Sequence, residues 1–88
     1  MVKKIRKVLV FSSKEWHWFA KCWGLTKREV EVVRLMCQGW DSKKIARGLN
    51  IKHNTARAHL SNIYKRMGVH SKLDVVMALL ERLPNISK

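Results

Sequence analysis

Acidic residues are scarce in this 88-residue sequence, which has six of them against 19 lysines and arginines, for a formal net charge of +13. No acid lies between Asp41 and Asp74. The same stretch contains eight cations: Lys43, Lys44, Arg47, Lys52, Arg57, Lys65, Arg66 and Lys72. A segment so one-sided repels itself unless a polyanion lies nearby, so nucleic acid is the expected partner. An anionic membrane surface is the alternative, and it is disfavoured because the pattern indicates short helices and turns, not one long amphipathic helix.

Cysteines and long apolar runs are also scarce. Cys22 and Cys37 have neither C-x-x-C spacing nor a histidine pair at zinc-finger distance, so no metal or other cofactor is expected. Two reduced thiols are a simpler expectation than one disulfide. The apolar run of residues 8–11 near the start is too short for a signal peptide or a membrane span. We therefore expect one small, soluble, cytoplasmic protein that does not bind membranes.

A catalytic constellation is missing as well. No histidine has a carboxylate or cysteine cluster beside it, and no glycine-rich phosphate loop appears. The histidines are His17, His53, His59 and His70. The sequence therefore predicts a protein that is not an enzyme and has no catalytic residues.

The first 23 residues are expected to form a basic arm followed by an aromatic helix. Ser12-x-x-Glu15 is a capping-box pattern and Gly24 is typical of a helix end, so we predict a helix over about 13–23. Its apolar stripe consists of Trp16, Phe19, Ala20 and Trp23. This stripe is expected to pack against the rest of the chain, with docking of a partner protein as the alternative. Residues 1–11 fit either an arm on the DNA backbone or a solvated tail that leads into a short packed strand.

Two further helices are predicted across a tight turn. Thr26-x-x-Glu29 is a second capping box, and Gly39 ends the helix that it begins. Asp41 is a good N-cap for the next helix, which ends at a short turn at residues 48–51. The inward positions are expected to be Val30, Val33 and Cys37 on the first helix, and Ile45, Ala46 and Leu49 on the second. A helix, a tight turn and a second helix with a polar face form a helix-turn-helix arrangement.

The stretch from Asn50 to Gly68 supplies that polar-faced helix. Its apolar stripe, at helical spacing, is Ala56, Leu60, Ile63 and Met67. Its opposite side, which is polar and basic and has no acid, consists of His53, Asn54, Arg57, Ala58, Ser61 and Lys65. A helix with one face for a core and one for an anion fits a helix lying in a DNA major groove. An ordinary amphipathic surface helix would show the same stripe and is the alternative.

A last helix is predicted from Ser71-x-x-Asp74 to Pro84, with residues 84–88 as a tail. Its expected apolar stripe is Val76, Leu79, Leu80 and Leu83. The helix is apolar over more of its circumference than one core contact needs, so in a chain of this size it has either a deeply buried place or a partner. Together with the family resemblance given below, this predicts that the four residues form a dimer interface.

Four blocks of the sequence resemble the LuxR/FixJ-type (GerE-like) helix-turn-helix domain of bacterial transcription regulators. They are LTKREVEVVRL (25–35), GWDSKKIA (39–46), LNI (49–51) and TARAHLSNIYKRMGV (55–69). The resemblance covers residues 24–83. It implies an all-α fold, a four-helix LuxR-type domain that is here preceded by an extra N-terminal amphipathic helix. In the family the third helix enters the major groove and the fourth often forms a symmetric dimer.

The resemblance also implies which residues touch DNA. The base-reading positions of the family fall on Arg57, Ala58 and Ser61, and its phosphate contacts fall near Lys43, Thr55 and Lys65. Chemistry adds the other polar and basic residues at the starts of the two helices as backbone contacts: Lys44, Lys52, His53 and Asn54. The base-reading chemistry is consistent, because arginine pairs with guanine and alanine contacts a thymine methyl.

The sequence departs from the family pattern at helix starts and in the core. Asp41 replaces a common serine, and Lys44 places a positive charge in the first turn of a helix. Lys52 replaces a serine that caps the recognition helix, so Asn50 is expected to be the substitute cap. Ala56 replaces a larger valine and thins the core.

The expected function is sequence-specific binding of double-stranded DNA in transcription regulation, by a stand-alone protein that forms a homodimer through its C-terminal helix. The alternative is a small modulator that binds a full-length regulator through its apolar helices. The N-terminal aromatic helix is the expected place for any protein partner.

Overall fold

The computed structural model describes residues 11–83, which fold into five helices. These are α1 (Ser13–Trp23), α2 (Lys27–Cys37), α3 (Ser42–Leu49), α4 (His53–Met67) and α5 (Lys72–Arg82). The expected fold class, a four-helix domain preceded by an additional helix, is confirmed. The predicted basic arm, the apolar residues 8–10 and the stop at Pro84 lie outside the described residues. No helix between residues 11 and 83 is long and apolar enough to span a bilayer.

Both predicted capping boxes are formed. The Ser12 amide donates to Glu15 Oε1 at 2.7 Å, and the Glu15 amide donates back to Ser12 Oγ at 3.2 Å. Thr26 and Glu29 make the same pair of bonds at 2.9 and 3.1 Å. Gly24 ends α1 in the left-handed conformation, with a φ of 66°, which glycine adopts without steric penalty. These boundaries follow from local sequence because each bond spans only three residues.

The core is a single cluster to which all five helices contribute. The completely buried side chains are Phe19, Val32, Val33, Ala56, Ile63, Val75 and Leu79. On α2 the predicted inner positions Val33 and Cys37 are buried, whereas Val30 is only half-buried. Val32 and Met36, which the predicted stripe omits, are buried as well. The buried face of α2 is wider than one stripe because α1, α3 and α4 all pack against this helix.

The aromatic stripe of α1 packs inward, as expected. Trp16 and Phe19 are buried, and with Phe11 they form three edge-to-face pairs whose ring centroids lie 5.1–5.5 Å apart. Edge-to-face contacts are favourable because the positive edge of one ring faces the negative face of another. The guanidinium of Arg34, on α2, lies 5.7 Å from the Trp16 ring centre. α1 therefore shares the core of the other four helices.

α1 also contacts the C-terminal end of α5. Trp18 Nε1 donates a hydrogen bond of 2.8 Å to the carbonyl oxygen of Arg82. The Arg82 guanidinium lies 5.6 Å from the Trp23 ring centre. The last carbonyl groups of a helix have no partner within it, so Trp18 satisfies one of them.

Candidate nucleic-acid interface

A left-handed residue makes the turn between α3 and α4. Asn50 has a φ of 56°, and its amide donates to the carbonyls of Ala46 and Arg47. The Ile51 amide also bonds to the Ala46 carbonyl, at 2.9 Å. Asn50 therefore ends α3, and the prediction that it caps α4 is wrong. Asparagine is favoured here because it tolerates the left-handed conformation better than other non-glycine residues.

The N-terminus of α4 has no side-chain cap. Its N-cap residue is Lys52, whose side chain accepts no hydrogen bond, and its first turn contains no acid. The first hydrogen bond of the helix runs from the Ala56 amide to the Lys52 carbonyl. The three amides before Ala56 therefore have no acceptor within the helix. Unpaired amides and the positive end of the helix dipole both attract anions.

The N-termini of α3 and α4 are joined by side chains. Ser42 Oγ and His53 Nε2 lie 2.8 Å apart, a hydrogen bond between partly buried groups. One imidazole nitrogen of His53, predicted to contact the DNA backbone, is thus already engaged. The bond fixes the start of α4 relative to α3, and it brings the lysines that precede and follow these residues to the same end of the motif.

The exposed face of α4 brings the predicted reading residues together. Arg57, Ala58 and Ser61 are all exposed, whereas Ala56 and Ile63 have no exposed surface. The same solvent side carries Asn54, Thr55 and Lys65, also exposed. We call these six residues the recognition surface. Lys43, Lys44 and Lys52 are exposed near its N-terminal end.

An ion pair that the sequence analysis missed anchors the other end of α4. Arg66 Nε lies 3.3 Å from Glu29 Oε1, and Arg66 Nη1 donates to the Gly24 carbonyl at 3.2 Å. The Glu29 side chain is 4% exposed and also accepts the Thr26 amide. The contact links residues far apart in sequence, and its only sequence signal was a glutamate already assigned to a capping box.

The predicted cap of α3 is present. Asp41 accepts the Lys44 amide at 2.8 Å. This bond, aided by the Lys43 amide and by the charges of Lys72 and Arg47, lowers the pKa of the Asp41 carboxyl. Asp41 therefore stays ionised and partly offsets the lysine charge in the first turn of α3.

The predicted dimer residues do not share one environment. Leu79 is completely buried within the chain, so it is a core residue and offers no surface to a second copy. Val76, Leu80 and Leu83 are half-buried. The exposed apolar residues of α5 are Leu73 and Met77, which are 69% and 49% exposed. The prediction for Leu79 is corrected because the stripe of α5 that faces the core is centred on Val75 and Leu79.

This geometry defines a helix-turn-helix protein whose second helix presents a basic and polar face. The family described as "Bacterial regulatory proteins, luxR family" matches residues 24–79. The chain belongs to this family, and its helix-turn-helix is a DNA-binding domain of transcription regulation.

Several curated proteins are similar over this domain. The Fimbriae Z protein of Escherichia coli K12 is 38% identical over 52 residues, 59% of this chain and 25% of that protein. The nitrate/nitrite response regulator protein NarP of the same strain is 33% identical over 58 residues, 66% of this chain and 27% of NarP. The transcriptional regulatory protein DegU of Brevibacillus brevis is 38% identical over 53 residues, 60% of this chain and 22% of DegU. The matched part is thus about a quarter of each relative. No solved structure gave a significant match.

Proposed function

We propose that the chain binds specific sequences in double-stranded DNA by placing α4 in the major groove. The observation that carries this proposal is the recognition surface, which is exposed and lacks acids on a helix whose other face is buried. A major groove admits one α-helix, and base edges there differ in their donors and acceptors.

Within that surface we assign base reading to Arg57, Ala58 and Ser61. Arg57 is suited to a bidentate pair with guanine O6 and N7, and Ala58 to contact with a thymine methyl group. Ser61 donates or accepts and therefore discriminates weakly. The three side chains lie within about one turn of α4, the span of a few consecutive base pairs.

Phosphate binding is assigned to the edges of the surface. Lys52 and the unpaired amides at the start of α4 suit one phosphate, with Asn54 and Thr55 in the same turn. Lys43 and Lys44 on α3 extend this anion-binding end, and Lys65 lies three turns away near the other end of α4. His53 contributes through the ring nitrogen that does not bond to Ser42.

We also propose that the protein dimerises through α5, with interface residues that differ from those predicted from the sequence. Leu73 and Met77 are exposed at a spacing of four residues, and the half-buried Val76 and Leu80 lie between them and the core. These four residues form one apolar strip on the solvent side of α5. A symmetric pair of such strips would bury them and set two copies of α4 on successive major grooves.

A selection from random duplex DNA with the 88-residue chain, repeated at two salt concentrations, tests the function. Inverted half-sites with centres about one helical turn apart are the expected result. Salt-sensitive binding without an enriched sequence would refute sequence-specific regulation and leave only the electrostatic attraction.

Two substitutions test which residues of α4 contact bases and which contact phosphates. Arg57→Ala is expected to relax specificity at one base pair in each half-site, with a loss of about 1–3 kcal/mol in discrimination. Lys65→Ala should weaken binding to all sequences alike and reduce the salt slope by about one. Uniform weakening by Arg57→Ala would show that Arg57 touches only phosphate.

Sedimentation tests the dimer. Met77→Asp, an exposed position, should convert the dimer to a monomer without unfolding the chain, whereas Glu81→Gln on the same helix should leave the dimer intact. An unchanged sedimentation coefficient for Met77→Asp would remove α5 as the interface.

A DNA-binding transcription regulator stays our preferred assignment, and the modulator stays the alternative. The recognition surface favours DNA binding, because a protein that only blocks another regulator has no need of it. The inward packing of Trp16 and Phe19 leaves Trp18, 43% exposed, as the main aromatic surface of α1 for a protein partner. A variant that loses sequence preference and still pairs with a full-length regulator would favour the modulator.

A further inference from the structure

Trp40, in the turn between α2 and α3, lies directly against the backbone of Gly48. A Cβ atom added to Gly48 would lie 2.5 Å from Trp40 Cζ3, closer than real Cβ atoms approach their neighbours. Only glycine at this position of α3 leaves room for the ring. Two hydrogen bonds also hold the Trp40 backbone: its amide donates to the Leu35 carbonyl at 3.2 Å, and its carbonyl accepts from Lys72 Nζ at 3.5 Å.

Two residues of α3 that are unfavourable for a helix contact this one ring. Gly48 weakens a short helix because glycine loses more backbone entropy than other residues. Lys44 puts a positive charge in the first turn, where the helix dipole disfavours it. Lys44 Nζ lies 4.8 Å from the Trp40 ring centre, within the range of a cation–π contact. Residues that disfavour the local structure and yet cluster at one place are expected at functional sites.

The surroundings of the ring favour an anionic ligand. Arg47 lines the same shallow depression as Trp40, Lys44 and Gly48. The neighbouring carboxylate, on Asp41, is bonded to the Lys44 backbone amide and so caps the helix. Ser42, two residues before Lys44, bonds to His53 at the start of α4. The Lys44 turn therefore adjoins the anion-binding end of the recognition helix.

We propose that Trp40, seated against Gly48, is a positioning residue for DNA binding that holds the Lys44 ammonium ready for a phosphate of the DNA backbone. The inference rests on the proposed function. The ring attracts the ammonium through its negative face and leaves N–H donors of Lys44 free for a phosphate oxygen. A lysine confined by a ring loses less rotamer freedom when it binds, which favours the complex.

A double-mutant cycle in the 88-residue chain tests the coupling. The dissociation constant for a short duplex of random sequence is measured for the wild type, Trp40→Leu, Lys44→Gln and the double variant. Backbone contacts are independent of sequence, so this probe needs no operator. Trp40→Leu should weaken binding about three- to tenfold, the range expected when one long side chain must be ordered on binding, and should have little effect when Lys44 is already glutamine. Lys14→Gln, which removes an exposed lysine from the first turn of α1, is the matched control for Lys44→Gln and should bind nearly as the wild type does.

Gly48→Ala provides a second route that keeps both side chains. It should displace the ring and reproduce the loss of Trp40→Leu, again only when Lys44 is present, and thermal unfolding checks that each variant folds. Equal losses from Trp40→Leu in both Lys44 backgrounds would mean that Trp40 acts only through the fold. Unchanged binding by Gly48→Ala would overturn the positioning role. A wild type that binds no duplex would instead refute the proposed function. If Lys44→Gln reduces the slope of binding affinity against salt concentration by about one, that result supports the phosphate contact.

Discussion

The ion pair between Arg66 and Glu29 makes a quantitative prediction about stability. Glu29 is almost completely buried, and Arg66→Ala would leave its carboxylate with only the Thr26 amide as a partner. Removing one member of a fully buried pair costs about 3–5 kcal/mol. The Arg66 side chain is 45% exposed, so water can enter and replace part of the interaction. We therefore expect a loss of about 1.5–2 kcal/mol in the free energy of unfolding, the lower part of the range for hydrogen bonds to charged groups.

Arg28→Ala is the matched control for this prediction. Arg28 pairs with Glu31 at 3.4 Å, but the two side chains are 43% and 56% exposed. Exposed pairs three residues apart on a helix contribute about 0.2–0.5 kcal/mol. Urea denaturation followed by far-UV circular dichroism would compare the two variants. Equal losses would refute the reasoning from burial, and adding Glu29→Gln to Arg66→Ala should recover part of the stability because no buried charge remains.

Three further predictions concern a thiol, a helix cap and a turn. Burial raises the pKa of the Cys37 thiol to about 11, so a thiol reagent at about pH 8 should label the half-buried Cys22 and reach Cys37 only after denaturation; rapid labelling of both in the native protein would contradict this. The pKa of Asp41 is lowered mainly by its hydrogen bond from the Lys44 amide. The ionised Asp41 therefore stabilises the folded chain fully above about pH 4, the pKa of aspartate in the unfolded chain, and this contribution is lost as the pH falls through the lower pKa of the folded chain. Asp41→Asn, which caps without titrating, should reduce the acid sensitivity of unfolding. Asn50→Ala should lower the free energy of unfolding by about 1 kcal/mol because alanine is strained in the left-handed conformation, while Asn50→Gly should change it little, and thermal melts compare them.

The parts of the fold that depend on neighbouring residues could be predicted from sequence. Ser12, Thr26, Asp41 and Ser71 each accept an amide three residues ahead, so a short pattern is enough to place four helix starts. The faces of the recognition helix could also be predicted, because one side is apolar and the other lacks acids, but its start could not. The structure begins it at His53.

The parts that depend on packing between distant residues could not be predicted. Leu79 and Met77 look equally apolar in the sequence, and only the orientation of α5 shows that the first is buried and the second exposed. Asn50 was assigned to the wrong helix because asparagine suits both an N-cap and a left-handed C-terminal residue. The contact between Trp40 and Gly48 could not be predicted, because the turn that brings the ring onto α3 has no sequence signature.

The bond from Trp18 to the last carbonyl of α5 has a consequence for how the domain is delimited. The family model matches residues 24–79, yet Phe19 lies inside the same cluster as Ile63 and Val75. The matched segment is thus smaller than the set of residues that shares one core here. A fragment limited to residues 24–83 would lose the rings of Trp16 and Phe19 and expose the apolar core that they cover, and it would lack the Trp18 bond to the final helix, so it should melt below the longer chain.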